Sequence, residues 1–437
     1  MKRKVLTAII TFLLTGAVVT AQRSVSLAEC IQAAAGMHRL SGEPGRYSVI
    51  GELTAKNLKS SRLPTADAGA GIVYNSDIPD LRETLAGIPV PGLADLIPEV
   101  PHTQYRLTLE LSQLIYDGGI VKEMRRVNEA NTLVNRQLAE IELYSSAERV
   151  IACYYSILLL DRYNELLAGF MTSADARLAA VRSAISAGVL TEPDYDMIYA
   201  GRLTLSGKAA DNRNLARSLR EILSGMTGIA FDDSTELLTE KDDWYAPEEI
   251  GTGDLLRPEL KLFDLTAGQL EAGEKLTVAL RKPKVYGFAT LGYGNPPGNN
   301  FFRDAFEPYF VTGASVRWNI YDWNRSKRER EILKVKREIT GSRRSDAEEK
   351  LLRMIAAKLT EIENLENAIA TGEELVILRR RISLSASSKF ENGTITAAEF
   401  ISITAGEQEA VTELEIRKVN LMKARSEYLY MCGMEII

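Results

Sequence analysis

The chain has 437 residues, 45% of them hydrophobic and 26% charged, with a formal net charge of −6. That length suits two or three domains, and the mild negative balance argues against a nucleic-acid partner. His38 and His102 are the only histidines, which removes the basis for a histidine metal cluster or catalytic triad, and Cys30, Cys153 and Cys432 are too dispersed for a disulfide framework.

Lys2, Arg3 and Lys4 precede an uncharged, mostly apolar stretch from Val5 to Val19, and Val19-Thr20-Ala21 offers small residues for cleavage. Residues 1–21 therefore read as a secretory signal peptide, with the mature chain starting at Gln22 and no cysteine there to carry a lipid. No later apolar run is long enough for a transmembrane helix. Helix is expected from Ser26 to Arg62, broken at Gly42-Glu-Pro-Gly45, followed by a weak Gly-rich strand, Thr65 to Tyr74. Asn75 to Thr103 carries Pro79, Pro89, Pro91, Pro98 and Pro101 and reads as a surface loop. Tyr105 to Ser112 alternates, with Tyr105, Leu107, Leu109 and Leu111 on one face and Arg106, Thr108, Glu110 and Ser112 on the other. Asp117 to Gly188 then runs without a proline, a helix that can approach roughly 100 Å. A tight turn and a shorter helix reach Gly228, and residues 229–254 form a linker.

From residue 255 the plan repeats: helix Leu255 to Lys282, strand Val285 to Tyr293, and strand Phe310 to Ile320 with Phe310, Ala314, Val316, Trp318 and Ile320 on its apolar face. A second long helix spans Asp322 to Gly393, and a shorter one follows. Asp117 and Asp322, Gly188 and Gly393, and Gly228 and Gly433 are each 205 positions apart (322 − 117, 393 − 188, 433 − 228). One offset over that distance means two copies held in register by packed helices, since loops tolerate length changes. Pro64 and Pro283 are 219 apart (283 − 64), so the first copy, 22–228, carries extra residues in its proline-rich loop relative to the second, 255–437. Leu352, Ile355, Leu359, Ile362, Ile369 and Val376, with Phe400, Ile403, Ala410, Leu414, Leu421, Ala424, Tyr428 and Met431, step at coiled-coil spacing.

Four alternating strands cannot close a barrel alone. If they lie in a bilayer, several chains must share one barrel; a soluble hairpin packed on helices explains the alternation equally well. The fold class is therefore mainly α, with long coiled-coil hairpins in two repeats and a small β portion.

Leu109-Glu-Leu-Ser-Gln-Leu-Ile-Tyr-Asp-Gly-Gly119, the turns Ala187-Gly-Val-Leu-Thr-Glu-Pro-Asp194 and Asn392-Gly-Thr-Ile-Thr-Ala-Ala-Glu399, and the opening helix Ser26-Leu-Ala-Glu-Cys-Ile-Gln-Ala33 together resemble the TolC family of outer-membrane efflux and secretion proteins. The resemblance covers nearly the whole mature chain. It implies a homotrimer whose four strands per chain complete a 12-stranded barrel in outer-membrane lipid, with the helices forming a periplasmic tunnel. It also implies a periplasmic adaptor and an inner-membrane pump as partners, in tripartite efflux or type I secretion. Two departures stand out: the break at Gly42-Glu-Pro-Gly45, and Trp323-Asn324 where the first copy has Gly118-Gly119, which suggests a differently shaped second turn.

The resemblance places Asp194 and Glu399 at the closed periplasmic aperture; the residues alone equally fit capping boxes, Thr191-x-x-Asp194 and Thr396-x-x-Glu399. Gly188 and Gly393 read as helix terminators, and Val189, Leu190, Thr394 and Ile395 as turn residues open to adaptor contact or to packing on their own hairpin. Arg106, Glu110 and Arg317 are the lumen candidates. The run Arg325 to Arg330 and Arg379-Arg-Arg381 read as solvated helix faces. With no phosphate-binding loop, nucleophile elbow or metal-ligand spacing, neither an enzyme nor a cofactor is expected; the competing reading is a periplasmic coiled-coil scaffold or adaptor without a pore.

Overall fold

The computed structural model describes residues 24–78, 100–232, 235–239, 255–300 and 303–434. The signal peptide, most of the proline-rich loop and most of the 229–254 linker lie outside these residues. Among them, no helix is long and apolar enough to cross a membrane.

The described elements are β1 (Ser24–Val25), α1 (Leu27–Met37), α2 (Glu43–Ser60), β2 (Thr65–Tyr74), β3 (Thr103–Tyr116), α3 (Ile120–Ser186), α4 (Glu192–Thr227), β4 (Glu236–Leu237), α5 (Pro258–Ala279), β5 (Lys284–Asn295), β6 (Glu307–Arg317), α6 (Arg325–Glu391) and α7 (Ala397–Cys432). The repeat is carried to the residue: α3 and α6 have 67 residues each and α4 and α7 have 36 each. The break at Gly42-Glu-Pro-Gly45 is present. α1 ends at Met37 and α2 restarts at Glu43, where Pro44 in the first turn gives up an amide the helix does not use.

Residues cluster into two compact units. One draws on Met1–Gly42, Ala139–Leu260 and Asp346–Ile437, the other on Glu43–Leu138 and Lys261–Ser345. Both units take segments from both sequence repeats, and α3 and α6 pass from one unit into the other.

The first unit holds the helical core. Val150, Ile151, Tyr154, Ile157 and Leu158 on α3 bury against Val25, Leu27, Cys30 and Ala34, Leu223 of α4 and Val419 of α7. The Tyr154 hydroxyl lies 3.0 and 2.6 Å from the Val25 and Leu238 carbonyls, fastening the short parallel pair β1–β4. The expected coiled-coil seam is there too: Ile355 and Ile362 of α6 bury with Ala424 and Tyr428 of α7, flanked by Leu352, Leu359, Leu421 and Met431. All three cysteines are buried free thiols, and burial pushes Cys30 up to about 12.

The second unit carries one antiparallel sheet in the order β2-β3-β5-β6. Its central pair, β3 with β5, joins the two repeats. Paired residues share a face, so the register sorts the sheet: Ala68, Leu109, Leu291 and Phe310 form one row, and Asp67, Glu110, Thr290 and Val311 form the next on the opposite face. Glycines line that second face at Gly69, Gly71, Gly292 and Gly294. Strand β6 stops at Arg317, short of the expected Ile320. Its partner β5 begins at Lys284, and the preceding Pro283 has no amide to extend the ladder.

Each strand-to-helix junction is built on an aspartate. The buried Asp117 carboxylate accepts from the amides of Gly119 and Val121 (2.9 and 2.8 Å) and from Arg62 Nη2 (2.8 Å). Asp322 accepts from the Ser326 amide (3.0 Å) and the Ser326 hydroxyl. The second turn is not reshaped, contrary to the expectation from Trp323-Asn324. Gly118 and Gly119 sit at φ 68° and 89°, and Trp323 and Asn324 at φ 54° and 59°. The aspartate cap and the following helix dictate the left-handed pair even where the side chains disfavour it.

Burial raises the Asp117 pKa, but the Arg62 bond and the Val121 and Gly119 amides outweigh it and hold the carboxyl below its ordinary 3.8. A depressed carboxyl contributes stability that is complete above the ordinary value and lost as pH falls through the lower folded value. Asp117→Ala leaves the buried Val121 amide and the part-buried Gly119 amide unmatched, at a cost of about 1–3 kcal/mol; Arg62, half exposed, adds little. Thermal unfolding should therefore show the variant less stable at neutral pH, with the gap closing below about pH 4. A gap independent of pH would contradict the charged cap.

Candidate functional site

Two features present candidate residues, one in each unit. The first is the pair of helix turns α3–α4 and α6–α7. Gly188 closes α3 by donating to Ile185 O (2.9 Å) while Val189 donates to Ala184 O (2.9 Å); Gly393 and Thr394 make the same bonds to Phe390 and Lys389. Both glycines are left-handed, at φ 74° and 68°, as this helix ending requires. Val189 lies beside Gly393, since a Cβ there would be 3.6 Å from Val189 Cγ1, so the two turns are neighbours.

The turn residues divide. Leu190 and Ile395 pack on a cluster of Leu178, Val181, Ile198, Phe390, Ala397 and Phe400. Val189 is 54% exposed, and Thr394 and both glycines are exposed. Asp194 is half-buried and Glu399 exposed. Each carboxylate accepts from its cap threonine's amide, Thr191 or Thr396, at 3.0 Å. Each therefore completes a capping box.

Residue-by-residue reading of the acids missed the groups beside them. Tyr195 and Phe400 follow Asp194 and Glu399 at the same 205-residue offset (400 − 195). Arg182 stands 4.8 Å over the first ring and Arg177 4.3 Å over the second. Arg202 makes two bonds to Asp175 (2.9 and 3.3 Å), tying α4 to α3. The repeated aromatic was the available signal; the arginines have no counterpart at that offset.

The second feature is the sheet. Its register puts Arg106 (paired with Gly294), Glu110 (paired with Thr290) and Arg317 (paired with Lys284) on one face. Leu107, Leu109, Leu291 and Phe310 occupy the opposite face, at 58%, 42%, 54% and 74% exposure. Every residue of β2 is exposed.

In sequence, no protein-family model and no curated protein matches this chain. Solved structures do. CusC, described for folding and transmembrane channel formation, has a TM-score of 0.73 at 11% identity, over 93% of this chain and 92% of that one. The outer membrane protein VceC of Vibrio cholerae has 0.69 at 12%, over 93% and 96%. The outer-membrane channel OprN has 0.70 at 14%, over 93% and 89%. The chain thus has the TolC-like fold of these channels: long helical hairpins in two repeats with a small β portion.

The caps themselves set a stability expectation. Asp194→Asn with Glu399→Gln keeps an amide oxygen for each cap, so the melting of the double variant should reflect a loss of no more than about 1 kcal/mol. A larger drop would mean that the charges, not the caps, hold the turns.

Proposed function

We propose that this chain is one protomer of an outer-membrane export duct: a passive conduit, not an enzyme, that assembles as a homotrimer with the helices in the periplasm. The observation that carries the reading is the sheet. Its apolar face is bare, its two outer strands pair on one side only among the described residues, and a sheet with open edges is not stable in lipid. Three copies joined edge to edge make a closed 12-stranded barrel. The likeness to solved outer-membrane channels supports the reading, and so does the signal peptide expected at the N-terminus.

The repeat supplies a template for the junction between copies. Within the chain, β3 meets β5, and Gly118 after β3 lies against Lys282 before β5; a Cβ on Gly118 would be 2.5 Å from Lys282 Cβ. The matching junction between copies pairs β6 with the next copy's β2. That sets Trp323, the counterpart of Gly118, beside Leu63, the counterpart of Lys282, in the adjacent copy. Trp323 and Leu63 are 76% and 60% exposed in the single chain. Cysteines placed at both positions should be joined by a short bifunctional thiol reagent into trimer-sized bands, while either cysteine alone should not. A monomer-only pattern from a membrane-inserted protein would contradict this junction.

In this reading Arg106, Glu110 and Arg317 face the lumen and the leucine row faces lipid. Leu109→Arg places a charge in the hydrocarbon at about 2–4 kcal/mol near the midplane, whereas Thr108→Arg places it in water. Trimer yield in outer-membrane fractions should fall for the first and hold for the second; equal yields would reverse the assignment of faces.

We further propose that Asp194 and Glu399 ring the periplasmic mouth, with Val189 and Thr394 exposed to a periplasmic adaptor that couples the duct to an inner-membrane pump. Acids around a closed aperture favour cations. In planar bilayers, Asp194→Asn with Glu399→Gln should lose cation preference and block by multivalent cations. Unchanged selectivity would leave both acids as caps alone.

A further inference from the structure

The second repeat carries a cleft of about 620 Å³ between the end of α5 and the start of α6, just past the last rung of β6. Trp318 and Ile320 give it an apolar wall. Arg281, Lys282, Lys327 and Arg330 give it four cations, and Glu331 is the one carboxylate among its described lining residues. Glu331 faces Lys334 at 3.7 Å.

Comparison of the two repeats shows where the free charge comes from. In the first, Arg62 spends its guanidinium on Asp117. In the second, Val121 is replaced by Ser326 (326 − 121 = 205), whose amide and hydroxyl both take the Asp322 carboxylate. Arg281, the counterpart of Arg62, then acts on Asp322 only through space. Among the described residues no carboxylate lies within ion-pair distance of Arg281, Lys282, Lys327 or Arg330. Leu63 becomes Lys282, adding a charge. Gln113 becomes Trp318, 56% exposed, whose indole N–H donates to Arg281 O at 3.1 Å and so fixes the ring beside the cations. Trp318 stands one residue beyond the end of β6, whose apolar side carries Phe310 and Val316.

An apolar wall just past the end of that strand, a fixed indole and four cations without an ion pair are the complement of one ligand class. We propose that this cleft binds the headgroup of an anionic phospholipid in the periplasm-facing leaflet. Arg281, Lys282, Lys327 and Arg330 hold the phosphate, and Trp318 and Ile320 lie against the start of the acyl chains. Indoles favour that interfacial depth, and basic side chains near an anionic leaflet are attracted to it. The proposal rests on the outer-membrane reading. It adds that the second repeat, and not the first, selects lipid by charge.

The test uses the full-length oligomer with Trp244→Phe and Trp323→Phe, leaving Trp318 as the sole indole, reconstituted in vesicles. Brominated phosphatidylglycerol or brominated phosphatidylcholine is included at equal mole fraction. Phosphatidylglycerol should quench Trp318 more strongly, with a preference of about fivefold per contributing cation, reduced by high salt. Arg281→Gln with Lys327→Gln and Arg330→Gln should cut the preference to the roughly fivefold that Lys282 alone can supply. If that triple variant does not assemble, Arg281→Gln alone should lower the preference. Equal quenching by both lipids in the protein with all four cations intact overturns the headgroup site. Failure of the protein to float with the vesicles overturns the membrane reading and the site together.

Discussion

The fold depends on how a strand turns into a 67-residue helix. At Asp117 and Asp322 the chain must reverse its backbone periodicity within three residues and start a helix whose first amides have no partners of their own. One carboxylate does this by accepting the amides of the first turn, and it holds the two intervening residues left-handed. That junction sets the phase of the helix relative to the sheet. An error of one residue at Asp117 would rotate the start of α3 by about 100° relative to β3.

The weight of this constraint is visible in what it overrides. Tryptophan and asparagine at 323 and 324 adopt the backbone that glycines adopt at 118 and 119, although a bulky residue pays about 1–2 kcal/mol for it. The cap outranks the local preference of the residues it spans. This is why a motif comparison at the second turn pointed to a changed shape while the backbone stayed the same.

Helices and tip turns were legible because their signals are local: prolines absent over a long run, glycines at fixed offsets, threonine three residues before an acid. The two faces of β3 and β6 were legible from alternation, while the Gly-rich β2 and β5 showed none. The pairing of β3 with β5 was not, since nothing in either strand names a partner nearly two hundred residues away. The fates of Val189 and Leu190 were also hidden. Both are apolar and adjacent, and only the packing of Leu190 on Phe390 and Phe400 tells them apart. The end of β6 needed its neighbour, because Pro283 limits a strand that the sequence pattern carries on to Ile320.

What the repeat conserves is therefore backbone, and what it varies is charge. Asp175 and Arg202 pair across α3 and α4; at the same offset the second repeat has Arg380 and Glu407, the same two signs in opposite order. Asp117 keeps an arginine, while Asp322 gives its arginine up to solvent for a serine. Duplicated helices of equal length can exchange such pairs without shifting register, because an exposed ion pair contributes little to stability while a changed length would disturb every packed turn that follows. The two halves of the chain thus keep one scaffold while their polar surfaces diverge, and chemistry particular to one half is to be sought where a paired charge in one repeat has lost its partner in the other.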